Sequence, residues 1–128
     1  MIELTVRECL SAFQHVSRAA EQGYKNAKHG YWFARAKTQL EIVKRDYESA
    51  VKQPIKDLCS RNDKGEALVN GLGNYMFTEE NSEKFDAISA PLLEEKEQIK
   101  FCEPLPKIEE MNEGYVFSGL EKFFEEVK

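Results

Sequence analysis

A chain of 128 residues with 41% hydrophobic, 32% charged and 11% aromatic content has the length of one domain and enough apolar material for a core, which excludes a wholly disordered chain. No run approaches the roughly 20 apolar residues of a bilayer span, and the start Met1-Ile2-Glu3-Leu4-Thr5 lacks the basic and apolar regions of a secretory signal, so a cytoplasmic location is expected. Cys9, Cys59 and Cys102 are odd in number and contain no Cys-x-x-Cys, which argues against a disulfide framework or a zinc ribbon.

In chain order, Val6, Leu10, Phe13 and Val16 step by four, three and three residues and predict a helix from Val6 to Glu21, with Thr5 as N-cap and Gly23 beyond its end. A longer series, Trp32, Ala36, Leu40, Val43, Tyr47, Ala50 and Val51, predicts a second helix over 31–52. Pro54 should kink it before Ile55 and Leu58 carry the apolar face through one or two further turns. The turn formers Asn62-Asp63-Lys64-Gly65 end it.

Ala67-Leu68-Val69 and Tyr75-Met76-Phe77, separated by Asn70-Gly71-Leu72-Gly73-Asn74, read as a small hairpin. A third helix follows, capped by Thr78 or Asn81 and acidic in its first turn, with Phe85, Ile88, Leu92 and Ile99 as its buried stripe. Pro91 should divide or bend it, with 92–98 resuming as helix. Pro104 and Pro106 make 100–108 extended, and Ser118-Gly119-Leu120-Glu121 has capping-box spacing for a closing helix that docks Leu120, Phe123, Phe124 and Val127. No internal repeat is read. The expected fold is α+β and predominantly helical, one domain over 1–128, with a long kinked helix packed against shorter helices and a small β-hairpin. Trp32, Tyr47, Phe85, Phe123 and Phe124 are expected in its core.

Net charge is divided unevenly. Residues 1–65 hold twelve basic and eight acidic side chains, net +4, and residues 66–128 hold six and fifteen, net −9. The plainer explanation is that the two parts face each other or are solvated surfaces; the sharper one is that separated faces guide a partner or a head-to-tail assembly, since charge layout acts on encounter and solubility more than on fold. His15 and His29 have no carboxylate or cysteine at metal-ligand spacing; Cys9 neighbours the stripe of the first helix, Cys59 follows Leu58 and Cys102 follows Phe101, so all three read as small hydrophobic fillers. Gly71-Leu72-Gly73-Asn74 lacks the Gly-Lys-Ser/Thr of a phosphate loop. Glu94, Glu95 and Glu97 point in different directions on a helix, so no catalytic, cofactor or metal site is assigned and the chain is read as not an enzyme.

Two binding surfaces are candidates. Lys25, Lys28, Arg35, Lys37, Lys44, Arg45 and Lys52, interleaved with Tyr24, Tyr31, Trp32 and Phe33, could neutralise phosphate and stack on bases. Tyr24, Lys28, Tyr31 and Arg35 are its candidate contact residues. The carboxylates of the second half, Glu79 to Glu126, could instead imitate nucleic-acid charge and occupy a basic groove on an enzyme.

The order of long basic helix, Asp63-Lys64-Gly65 turn, hairpin, acidic helix, Phe101-Cys102-Glu103-Pro104-Leu105 extension and closing Gly119-Leu120-Glu121-Lys122-Phe123-Phe124 resembles small uncharacterised proteins of bacteriophages and prophages. In particular it resembles the DUF1617 family, through Arg35-Ala36-Lys37-Thr38 and the long helix, over residues 30 to 126. The resemblance implies a viral accessory protein of the host-cell cytoplasm with no family active site. It raises binding roles over enzymatic ones, as a protein of assembly that associates with itself or a virion component or as a regulator that blocks a host enzyme; a protein partner or self-association is expected, with nucleic acid a partner not favoured. No membrane, cofactor or small-molecule substrate is expected.

Overall fold

The computed structural model describes residues 1–107 and 120–124. Its elements in chain order are β1 (Ile2–Thr5), α1 (Val6–Gln22), α2 (Ala27–Leu58), α3 (Glu79–Leu93) and β2 (Lys96–Ile99), followed by a 3-10 turn at Glu121–Phe123. The fold is thus α+β and mostly helical, with one long helix and a two-stranded antiparallel sheet. The chain divides into two compact units, 1–45 with 95–128 and 46–94, and α2 supplies residues to both.

In the first unit, Thr5 closes β1 and caps α1. Its hydroxyl accepts the Glu8 N–H at 3.1 Å while the Glu8 carboxylate accepts the Thr5 N–H at 3.0 Å, a reciprocal box that satisfies two exposed donors. β1 pairs with β2 in the register Ile2↔Ile99, Glu3↔Gln98, Leu4↔Glu97 and Thr5↔Lys96. Alternation along so short a strand sends Ile2 and Leu4 inward with Ile99.

The expected helix over 92–98 is therefore corrected. Helix α3 ends at Leu93, and Lys96–Ile99 is drawn into extended backbone because its N–H and C=O groups meet those of β1.

The core gathers Cys9, Ala12 and Val16 of α1, Phe33, Ala36 and Leu40 of α2, and Phe101, Cys102, Leu120, Phe123 and Phe124. At its centre Phe33 is fully buried, with ring centroids 5.3 Å from Tyr24, 5.0 Å from Phe101, 6.1 Å from Phe123 and 6.0 Å from Phe124. Phe123 and Phe124 lie in the core as expected, whereas Trp32, one position from Phe33 along α2, is half-buried at its margin. The Gln39 amide fixes the chain after β2, donating to the Lys100 carbonyl at 3.0 Å and accepting its N–H at 2.8 Å. The closing helix reduces to the 3-10 turn among described residues; Ser118 of its capping box and Val127 lie outside them.

In the second unit α2 continues through Pro54 to Leu58. The missing donor of Pro54 would have served Ala50, which is exposed, so solvent can replace it. Pro91 is carried in the same way inside α3, with Ala87 exposed. Thr78 caps α3 through its hydroxyl, accepting the Asn81 N–H at 3.2 Å. Asn81 instead sends its side-chain amide to the Leu58 carbonyl at 3.0 Å, and so closes the end of α2. The proposed α3 stripe is corrected at Ile88, which is exposed, while its neighbour Ser89 is buried. Phe85 is half-buried and stacks on Phe77 at 5.3 Å; Tyr47 is half-buried as well.

Between α2 and α3 the chain makes the same turn twice. Asn62 donates its N–H to the Glu66 carbonyl, and Asn70 donates to that of Asn74. Gly65 donates back to the Asn62 carbonyl and Gly73 to that of Asn70. The Asn62 side-chain oxygen accepts the N–H of Lys64 and Glu66, and that of Asn70 accepts those of Leu72 and Asn74. Gly65 and Gly73 hold φ of 79° and 81°, the left-handed geometry that follows a tight turn in three-residue hairpin loops.

The repeat is eight residues long, and the absence of an internal repeat read from the sequence is corrected. Ser60, Leu68 and Met76 stand at corresponding positions of successive passes and bond in a ring: Leu68 N–H to Ser60, Met76 N–H to Leu68, and Ser60 N–H to Met76. The expected hairpin exists in minimal form, as the isolated antiparallel bridge Val69↔Tyr75, and a second bridge, Arg61↔Ala67, closes the preceding turn. The ring of three closes its own backbone groups and leaves no edge at that level.

Candidate functional site

Within the 46–94 unit, α2 presents Glu48, Val51, Lys52, Ile55 and Lys56, and Cys59 follows just beyond its end. These are spaced i, i+3, i+4, i+7, i+8 and i+11, along one helical face. Opposite lie Arg61, Ala67 and Tyr75 of the repeated turns, and the space enclosed is a groove of about 490 Å³, within the ~300–1,000 Å³ of ligand-sized sites. The lining follows from the repeat, because Cys59, Ala67 and Tyr75 stand eight residues apart and point the same way. Residues opposed in an antiparallel bridge share a face, which places Arg61 beside Ala67 and Val69 beside Tyr75.

The floor of the groove is apolar, with Val51 and Cys59 buried and Ile55 and Ala67 half-buried. Among the described residues its exposed walls carry Lys52, Lys56 and Arg61 against one carboxylate, that of Glu48. Arg61 is fixed in place: one guanidinium nitrogen donates to the Gly65 carbonyl and another to that of Lys56, both at 2.8 Å. These partners satisfy donors without cancelling charge. Among the described residues none of the three cations forms an ion pair with a carboxylate. The unit as a whole has five basic and ten acidic residues, so the groove is a locally basic place on an acidic unit.

The same unit exposes large apolar side chains. Val69, Leu72, Tyr75 and Met76 are 53%, 86%, 48% and 46% exposed, and Ile88 of α3 is 50% exposed.

The contact residues expected from the sequence lie in the other unit and part company. Tyr24 stacks flat on Phe33 at 5.3 Å and packs against Gly30, where a Cβ would stand 3.3 Å from its ring; it belongs to the core margin. Lys28, Tyr31 and Arg35 share an exposed α2 face. There the Arg35 guanidinium lies 5.7 Å from the Tyr31 ring centre and 5.6 Å from that of Trp32, and donates to the Tyr31 hydroxyl at 3.2 Å. Lys44 sits over Phe13 at 5.7 Å. The basic stretch thus spends much of its cation–aromatic capacity within the chain.

All three cysteines are buried thiols. Burial, then the carboxylates of Glu97 and Glu8, push Cys9 up to about 11, opposite to the low value a nucleophile needs. No group of His, Cys, Asp and Glu that could hold a metal ion occurs among the described residues. No described helix is long and apolar enough to cross a membrane. Sequence reasoning found Lys52 but missed Lys56, Arg61 and Tyr75 as companions; the eight-residue spacing of Cys59, Ala67 and Tyr75 was the available signal. No protein-family model, curated protein or solved structure matches the chain.

Proposed function

We propose that the chain is a non-catalytic protein-interaction module that engages its partner through the 46–94 unit. The observation that carries this reading is the concentration of exposed apolar side chains. Of eight large hydrophobic residues exposed among the described ones, Val69, Leu72, Tyr75, Met76 and Ile88 fall in that unit. Exposed apolar area of this kind is retained where a partner covers it. An accessory role in assembly, or in occupying a host enzyme as the DUF1617-like pattern suggests, would be exercised through this surface.

The test compares what the full chain and its Val69→Ser/Leu72→Ser/Met76→Ser variant retain from source-cell lysate, together with the absolute mass of each purified protein. The reading expects the variant to keep its circular dichroism and lose either the co-purifying protein or the oligomer. Retention of the same proteins by both, with loss instead on Lys28→Glu/Arg35→Glu, would place the surface on the other unit and overturn it.

A further inference from the structure

Resting on that reading, we infer that the groove between α2 and the repeated turns receives an acidic peptide segment of a partner protein. Carboxylates of that segment meet Lys52, Lys56 and Arg61, and its aliphatic side chains lie over Val51, Ile55 and Ala67. Charge complementarity selects this occupant. The three cations line one groove of a unit with twice as many acidic as basic residues, and none is neutralised by a carboxylate among the described residues. Arg61 is held by two backbone carbonyls, so its guanidinium loses little freedom when an anion arrives.

The floor separates a peptide from a nucleic acid. A phosphate backbone gains from the cations but has nothing to place on Val51, Ile55, Cys59 and Ala67, and among the described residues Tyr75 is the one aromatic ring lining the groove. Single-strand binding draws much of its energy from aromatic stacking, whereas a segment of mixed acidic and aliphatic side chains uses both floor and walls. Lys52 and Lys56 at i and i+4 match acidic residues spaced along one face of the incoming segment, and such rim charges set encounter rate and choice of partner.

The experiment pans a random 12-residue peptide library on the immobilised full chain and measures the selected peptides by fluorescence anisotropy. The comparison proteins are Lys52→Glu/Lys56→Glu and Val69→Ser/Leu72→Ser/Met76→Ser, both checked by circular dichroism. We expect enrichment of sequences combining Asp or Glu with Leu, Ile or Val. Affinity should fall about tenfold or more in the lysine variant, in keeping with the loss of charge-complementary contacts, and a glutamine-for-glutamate version of each peptide should weaken similarly.

Enrichment of neutral or basic peptides, or binding abolished by the apolar triple variant and untouched by the lysine variant, would overturn the groove proposal and leave the interaction reading standing. A single-stranded 12-nucleotide DNA that binds as tightly and loses affinity in the same lysine variant would assign the groove to phosphate instead. Self-association abolished by the lysine variant would assign it to a second copy. No enrichment over bare matrix would count against both the groove and the wider reading.

Discussion

Replacing Gly73 by alanine should cost stability, while the same replacement two residues earlier, at Gly71, should not. Gly73 sits at φ 81° and nothing lies within 4 Å of the position a Cβ would take, so the whole effect comes from the backbone. A left-handed L-residue costs roughly 1–2 kcal/mol, offset by the ~0.4–1 kcal/mol gained by stiffening the unfolded chain; the net loss is about 1 kcal/mol. Gly71 has the same open surroundings without a left-handed φ, so only the gain of about 0.5 kcal/mol remains.

The two variants should therefore differ by about 1.5 kcal/mol, a little over tenfold in the opening equilibrium. The Leu68 and Met76 amides, whose bonds close the ring, report that equilibrium through native-state hydrogen exchange. Gly65→Ala, at φ 79° with equally open surroundings, should reproduce the Gly73 result. Equal costs at Gly71 and Gly73, or no cost at either, would refute the repeated-turn geometry.

Other expectations follow from the first unit. Phe33→Ala removes a fully buried ring from contact with four aromatic neighbours and should cost about 3–5 kcal/mol by urea unfolding; a loss below about 1 kcal/mol would mean the cluster is not the core. The Lys122 ammonium, 2.8 Å from Glu8, is the main cause holding that carboxyl below its ordinary value, with burial opposing and Thr5 assisting. A lowered folded value stabilises above the unfolded value of about 4.3 and is lost as pH falls through the folded one. Because both side chains are half exposed, Glu8→Gln should cost no more than about 1 kcal/mol near pH 7. The melting temperatures of parent and variant should converge in acid, and a gap that widens there would contradict the assignment. Finally, a thiol reagent near pH 8 should label none of Cys9, Cys59 and Cys102 until denaturant is added, since all three are buried and thiolate is the reactive form. Rapid labelling of the native protein would show an open site.

What could be seen in the sequence were the features whose causes are local. The Thr5 cap, the first helix, the long apolar series of α2 and the turn at Asn62-Asp63-Lys64-Gly65 depend on residues a few positions apart. The sheet does not: Ile2 pairs with Ile99, and Lys96-Glu97-Gln98-Ile99 carries no strand signal until β1 is beside it. Phe33 escapes the sequence reading because Trp32 and Phe33 both keep helical spacing to the buried Ala36, at four and three residues, and only the partners Tyr24, Phe101, Phe123 and Phe124 decide which ring is inward. Ile88 failed for the same reason in α3. The groove was hidden because its two walls, Val51 to Cys59 and Arg61 to Tyr75, obey different periods, a helical one and an eight-residue one.

The most direct measurement is the change in backbone amide chemical shifts of the isotope-labelled full chain as a bound partner or selected peptide is added. The account predicts shifts concentrated over residues 48–76, including Lys52, Lys56, Arg61 and Tyr75, with 28–35 unmoved. Shifts confined to Lys28, Tyr31 and Arg35, with the groove residues still, would contradict it.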